Sequence, residues 1–366
     1  MNFESVHRFL NEMVSSRKVA GSCAAVWQGG ALRFREFLGE VNERSAFRLA
    51  SMTKPVTAAA LLLCVQDGIL RLSDPVSAYL PAYGKLSLAK KTESGYVNGA
   101  PAGEVTLWNL LTHTSGIGSG ESGDAFYEAF KPQGTDTLAS AVDRYPKCPV
   151  EFLPGSAQAY SPVFALDVAA RVVELATGMN YGEFVKERIF KPLGMHATSY
   201  NLTDFRKEDL VLTYRSENGV LTVAEATEHN FDAFPAGYTG GGAGLLSTLD
   251  DYCLFAEALR RAYAGEDGIF RPESIREMGK PQLDEKRIAG VSGEFNWGLG
   301  VRALAAQTKS QPLTAGSFGW SGAYGTHFWV DPKEELVAVY MHNSATYGGS
   351  GAAHTVAFER AVMENV

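Results

Sequence analysis

Ser51 and Lys54 stand three residues apart in Ser51-Met52-Thr53-Lys54, at the start of an apolar run. On a helix, positions i and i+3 share a face, so a hydroxyl and an amine would meet within one turn. A serine hydroxyl is a poor nucleophile until a base takes its proton. Burial or a second positive charge favours the neutral form of a lysine, and a neutral amine is such a base. The same spacing occurs at Ser15/Lys18, at the frayed end of an expected helix, and at Ser87/Lys90, in a Lys-rich polar stretch. Only Ser51/Lys54 lies where a short extended segment, Phe47 to Ala50, runs into an apolar helix. The plain alternative makes Ser51 a helix cap and Lys54 a solvated first-turn residue. A cation is poorly placed at the positive end of a helix, however, and a lysine able to lose its proton fits there better.

Two further stretches can complete an acyl-transfer site. Tyr160 follows Pro154-Gly155 and precedes Ser161-Pro162, which fixes it at the entry of a helix. A tyrosine beside a lysine ammonium is drawn toward phenolate, so Lys54 and Tyr160 can share one proton, and the residues leave open which holds it. Packing is the competing role for any one of 15 tyrosines. The second stretch is Gly319-Trp320-Ser321-Gly322-Ala323, between two expected strands. An oxyanion needs backbone N–H groups aimed at one point, and those of Ser51 and Ala323 can supply two. A strand turn rich in small residues explains the same letters without chemistry.

These residues need elements to hold them. Residues 4–17 read as an amphipathic helix with Val6, Phe9, Leu10 and Met13 on one stripe. Strands are expected at 22–28 and 31–38, joined by the two-residue turn Gly29-Gly30. From Ser51 to about Gln66 the pattern is a buried helix that tolerates Pro55 in its first turn and stops at Gly68. Helices are expected near 106–112, 124–130, 136–144, 162–177, 181–190 and 248–262, with Ser161 as N-cap and Pro162 opening the fourth. Residues 84–104 and 114–123 read as loops. Strands at 297–304, 315–320, 324–331 and 335–342 form an antiparallel meander, closed by a helix at 353–364. The expected architecture is α+β: a sheet built from both termini, residues 1–74 and 246–366, with a mostly helical domain, 75–245, inserted between. The site would lie in the cleft between the two.

Composition narrows the function classes. Across 366 residues, Lys and Arg number 33 and Asp and Glu 41, a net charge of −8. That balance argues against nucleic acid and against an anionic membrane surface. No run reaches 18 apolar residues, and the N-terminal stretch lacks the order of a secretory signal. Cys23, Cys64, Cys148 and Cys253 lie far apart, fit neither a disulfide framework nor a zinc site, and point to a reducing compartment. A cytoplasmic enzyme without metal or cofactor, acting on a small-molecule ester or amide, is expected.

The three stretches, in this order, resemble the serine β-lactamase and penicillin-binding-protein superfamily, and most of all class C β-lactamases and family VIII carboxylesterases. Phe47 to Lys54 is similar to that family's nucleophile segment. Leu110-Leu111-Thr112-His113-Thr114-Ser115-Gly116 is similar to a loop motif. Pro154-Gly155, Tyr160-Ser161 and Asp167-Val168 resemble its tyrosine segment, and Phe190 to Met195, Gly240 to Thr248 and Gly319 to Gly325 also fit. The resemblance implies a β-lactamase/transpeptidase-like fold. It implies Ser51 as the acylated nucleophile, Lys54 with Tyr160 as the proton-transfer pair, and the N–H groups of Ser51 and Ala323 as oxyanion hole. Trp320, Ser321 and Gly322 would bind substrate. Class C β-lactamases carry Asn where this chain has Pro162, and Lys-Thr-Gly where it has Trp320-Ser321-Gly322. Losing the amide and the cation shifts the implied substrate from β-lactams toward short-chain neutral esters, since a tryptophan walls an apolar pocket. β-Lactam, D-amino-acid peptide or amide hydrolysis and acyl transfer are the alternatives on the same site. A catalytically silent scaffold is the alternative outside enzymes.

Other motifs lead elsewhere and are set aside. Gly118 to Gly123 fits GxGxxG but follows a helical pattern rather than a strand. GxSxG and HExxH are absent, and the histidines lack metal-ligand spacing. His113 belongs to its loop motif, with a structural role.

Overall fold

The computed structural model describes residues 3–224, 234–288, 295–307 and 311–366. Its centre is a seven-stranded antiparallel sheet in the order β10-β11-β12-β13-β14-β1-β2. Strands β1 (Gly21–Gln28) and β2 (Ala31–Gly39) come from the N-terminal end. Strands β10 (Phe295–Trp297), β11 (Arg302–Leu304), β12 (Phe318–Ser321), β13 (His327–Asp331) and β14 (Leu336–Met341) come from the C-terminal end. The two ends meet where β1 pairs β14, from Cys23 opposite Met341 to Gln28 opposite Leu336. The turn between β1 and β2 is Gly29-Gly30, both at positive φ, as a two-residue hairpin requires.

Helices cover both faces, which is why β1 and β14 read as continuous apolar runs rather than alternating ones. Helices α1 (Glu4–Ser15) and α12 (Ala353–Met363) pack together on one face. There Val6, Leu10, Phe358 and Val362 meet Val26, Trp329 and Tyr340. Helix α9 (Leu249–Ala264) crosses the other face, and helix α2 (Thr53–Gln66) lies in the larger core behind it. Every residue of α2 from Thr53 to Cys64 is buried. Burying each of Leu61, Leu62 and Leu63 contributes about 1.5–3 kcal/mol.

Between α2 and α9 run α3 (Leu107–Leu111), α4 (Gly120–Phe130), α5 (Leu138–Arg144), α6 (Phe164–Thr177), α7 (Tyr181–Val185) and α8 (Lys191–Leu193). A π-turn at Lys186–Phe190 joins the last two. Helix α6 packs on α2, α3 and α5. Short strands β3 (Phe47–Arg48), β6 (Thr198–Ser199) and β9 (Leu246–Ser247) form a second sheet with β9 in the middle. Helices α10 (Pro272–Gly279) and α11 (Glu285–Ile288) precede the C-terminal strands.

Several details depart from the sequence reading, and helix α4 already begins at Gly120, inside the expected loop 114–123. The expected loop 84–104 holds a hairpin, β4 (Ser87–Thr92) and β5 (Gly95–Pro101). It is largely exposed and shows no apolar alternation; backbone bonds tie its start to the body, Ala89 N–H to Val150 C=O and Val150 N–H to Ser87 C=O. A second hairpin, β7 (Tyr214–Glu217) with β8 (Val220–Val223), lies in the part read as helix and loop. The single strand expected at 297–304 is two, β10 and β11. The chain leaves the sheet between them, where Gly300 donates to Leu111 C=O at 2.8 Å. Helix α6 begins at Phe164, two residues later than expected. Its N-cap is Val163 rather than Ser161, which lies two residues further out with its Oγ accepting Ala165 N–H at 3.1 Å.

Candidate active site

The Ser51/Lys54 pair is held from both sides. Pairing of β3 with β9 sets Arg48 opposite Leu246, and Leu49 N–H donates to Leu245 C=O at 3.0 Å. The chain then turns sharply. Ala50 takes φ +46°, a left-handed conformation that costs an L-residue about 1–2 kcal/mol. A 3₁₀ turn, Ala50–Met52, leads into α2. Ser51 is left 8 % exposed and Lys54, one turn on, 0 %.

Lys54 Nζ has three partners: Ser51 Oγ at 3.2 Å, Pro162 C=O at 2.5 Å and Gly242 C=O at 2.7 Å. Tyr160 Oη donates to Ser51 Oγ at 2.7 Å, and Lys54 Nζ sits 5.0 Å from the tyrosine ring centroid. The structure therefore brings Ser51, Lys54 and Tyr160 together around one oxygen atom.

Two carbonyls in this arrangement were invisible in the sequence, because every residue carries one. Gly242 reaches Lys54 by passing close to the start of α6: a Cβ there would lie 2.5 Å from Val163 O. Asp167 fixes it, accepting Gly242 N–H at 2.9 Å. Asp167 is buried and also accepts Tyr238 Oη at 2.6 Å and Tyr145 Oη at 3.1 Å. Burial pushes its carboxyl up to about 6, against the opposing pull of those bonds and of Lys54. The sequence reading took Asp167 only as part of a motif.

The end of β12 is pressed against the nucleophile turn. A Cβ on Gly322 would stand 2.3 Å from Leu49 O, so this position accepts only glycine. Gly322 N–H donates to Thr326 C=O at 2.7 Å, and Thr326 Oγ1 donates to Leu49 C=O at 3.1 Å. Ala323, the next residue, is exposed. Trp320 packs on Trp297, ring centroids 4.6 Å apart, and lies 5.4 Å from the Tyr160 ring. His113 completes an aromatic wall, 4.4 Å from Trp297 and 4.7 Å from Tyr160.

Ser321 behaves differently. Its Oγ lies 2.8 Å from His327 Nδ1, and His327 packs against Trp329 in the core under α12. Strand alternation thus turns its hydroxyl away from the side that Trp320 faces. Nε2 of His327 is 3.2 Å from Glu359 Oε1, and Glu359 also pairs with Arg302 at 3.2 Å. Among the described residues, no three His, Cys, Asp or Glu side chains gather as metal ligands.

Comparison with known proteins is consistent along the whole chain. The sequence model of the β-lactamase family matches residues 6–360. Esterase EstB of Burkholderia gladioli is 30% identical, over 96% of this chain and 93% of its own. The lovastatin esterase of Penicillium rubens is 31% identical, over 82% of this chain and 73% of its own. Among solved structures, EstCE1, described as a hydrolase with promiscuous acyltransferase activity, superposes with a TM-score of 0.83. It covers 98% of both chains at 22% identity, which shows a shared fold.

Proposed function

This chain belongs to the β-lactamase family of serine hydrolases, and we propose that it cleaves short-chain carboxylic esters through an acyl-Ser51 intermediate. One observation carries the reading: Ser51 Oγ is within hydrogen-bond distance of both Lys54 Nζ and Tyr160 Oη. The Pro162 and Gly242 carbonyls occupy two of the amine's three outward positions. The third faces Ser51, as a lone pair when the amine is neutral and as an N–H when it is charged.

The reaction then runs in two balanced halves. Ser51 Oγ attacks the ester carbonyl carbon while its proton passes to the Lys54–Tyr160 pair. Backbone N–H groups of Ser51 and Ala323 hold the oxyanion. The C–O bond breaks, and the departing alkoxide takes the proton from the pair. Water attacks the acyl-enzyme, gives its proton to the same pair, and Ser51 leaves as a hydroxyl. Ester and water become acid and alcohol.

Trp320 supports the ester over the β-lactam reading. It stands where class C β-lactamases carry a cation, and with Trp297 it forms an apolar wall instead of a carboxylate site. Pro162 supports it too, since it offers no side-chain amide and its carbonyl is engaged by Lys54. Trp320 and Gly322 line the substrate path in this reading; Ser321 acts from beneath, through the strand. Activity on p-nitrophenyl acetate and butyrate, with weak or no turnover of nitrocefin and D-alanyl amides, is the expected pattern. Preferred turnover of nitrocefin would overturn it. Acyl transfer is the second reading, favoured by the likeness to EstCE1. It requires an alcohol that outcompetes water for the acyl-enzyme, seen as ester product when alcohols are added.

Ser51 and Lys54 precede residue 75, whereas Tyr160, Pro162 and Gly242 lie within 75–245. We therefore read the site as a cleft between a sheet-bearing unit, 1–74 with 246–366, and an inserted, mostly helical one. Limited proteolysis should cut near the two crossings; cuts spread evenly along the chain would contradict this. A cytoplasmic location is supported by Cys23, Cys64, Cys148 and Cys253, all unpaired and buried. Among the described residues, no helix is long and apolar enough to cross a membrane. Cell fractionation tests the location.

A further inference from the structure

We infer that His113 is the positioning residue for Tyr160, gripping the main chain on both sides of the tyrosine while packing on its ring. The inference rests on the role given to Tyr160 above. The His113 carbonyl accepts Ala159 N–H at 3.1 Å, and its ring Nδ1 accepts Ser161 N–H at 3.2 Å. Its ring lies 4.7 Å from the Tyr160 ring, centroid to centroid. The main-chain carbonyl thus holds residue 159, and the side chain holds residues 160 and 161.

The local backbone is shaped for this. His113 holds φ +55°, a left-handed conformation that non-glycine residues seldom take and in which asparagine, aspartate and histidine are enriched. Next to it, Thr114 C=O accepts Gly155 N–H at 2.7 Å, so the segment leading to Tyr160 is zipped to 113–114 from its start. The bond from Ser161 works only if Nδ1 keeps its lone pair. Burial, together with the charge of Lys54, holds the imidazole well below its usual range, so it stays neutral. The proton then sits on Nε2, which has no hydrogen-bond partner among the described residues, and the imidazole as a whole packs T-shaped against the Trp297 ring. No relay leads out of this histidine, which separates it from the base of a Ser-His-Asp site. It holds the tyrosine and moves no proton.

Two near-isosteres separate this role from simple packing. Asparagine places an acceptor at the Nδ1 position and tolerates the left-handed backbone; glutamine places its acceptor at the Nε2 position. With p-nitrophenyl butyrate, H113N is expected to keep kcat within about fivefold, whereas H113Q loses about 100-fold through misplacement of Tyr160. KM should stay within about threefold in both, because the tyrosine acts on the transition state. Equal kcat in H113N and H113Q, with Tyr160→Phe inactive, would overturn the inference about His113 alone. Wild-type kcat in Tyr160→Phe would instead overturn the role of the tyrosine, leaving His113 nothing to position. If melting shows H113Q to be unfolded, H113A with added imidazole decides. Restored kcat supports the inference, and an unchanged kcat refutes it.

Discussion

At the scale of single residues, chemistry was legible where it depends on side-chain type and spacing. Ser51 with Lys54 could be read from three residues of spacing and an apolar helix, and the structure sets Nζ 3.2 Å from Oγ. Replacing Lys54 with Met or Tyr160 with Phe should each lower kcat by about 10²–10⁴, the range of a lost general acid–base. Stopped assays on p-nitrophenyl butyrate measure it, and loss of less than about tenfold in both would contradict the shared-proton pair. What the sequence hid were main-chain groups. The carbonyls of Pro162 and Gly242 bind Lys54, yet nothing in either residue type announces an acceptor. For Ser321, whose place in the motif suggested substrate contact, strand alternation sends the hydroxyl to His327.

At the scale of elements, periodicity found the buried helix α2, the first two strands and the closing helix, because each has a strong apolar pattern. It passed over β4–β5 and β7–β8, two ribbons with little buried face, and α10, whose signal was Pro272 at its first position. Asp167 shows how elements act together. Carried on α6, it holds Gly242, whose carbonyl binds Lys54. Its carboxyl is raised from 3.8 to about 6, so the folded state favours the protonated form. The stability this contributes is present below pH 3.8 and is lost as pH rises through 6, a change on the order of 3 kcal/mol. D167N removes the titration. Between pH 4 and 7 the wild-type melting temperature should therefore fall relative to D167N. Parallel curves would contradict the assignment to Asp167. The substitution should also lower kcat by about tenfold or more, through the loosened Gly242.

At the scale of the whole molecule, strands at both ends and helices between them pointed to one sheet closed by the termini. Pairing of β14 with β1 realises it. The C-terminal helix covers one face of that sheet. Phe358 and Val362 of α12 are fully buried against Trp329 and Tyr340, and losing one such large side chain costs about 2–5 kcal/mol. A chain ending at Ala352 should thus show no cooperative melting transition by circular dichroism; a melt like that of the full chain would contradict this. The same sheet presents Gly322 against Leu49 and so couples the C-terminal strands to the nucleophile turn. The central claim, that this architecture exists to activate Ser51, is tested most directly by a fluorophosphonate probe followed by peptide mass spectrometry. The account predicts a single adduct on Ser51, formed rapidly in the wild type and slowly in Lys54→Met. An adduct on another residue, or equal labelling of Ser51→Ala, would contradict it.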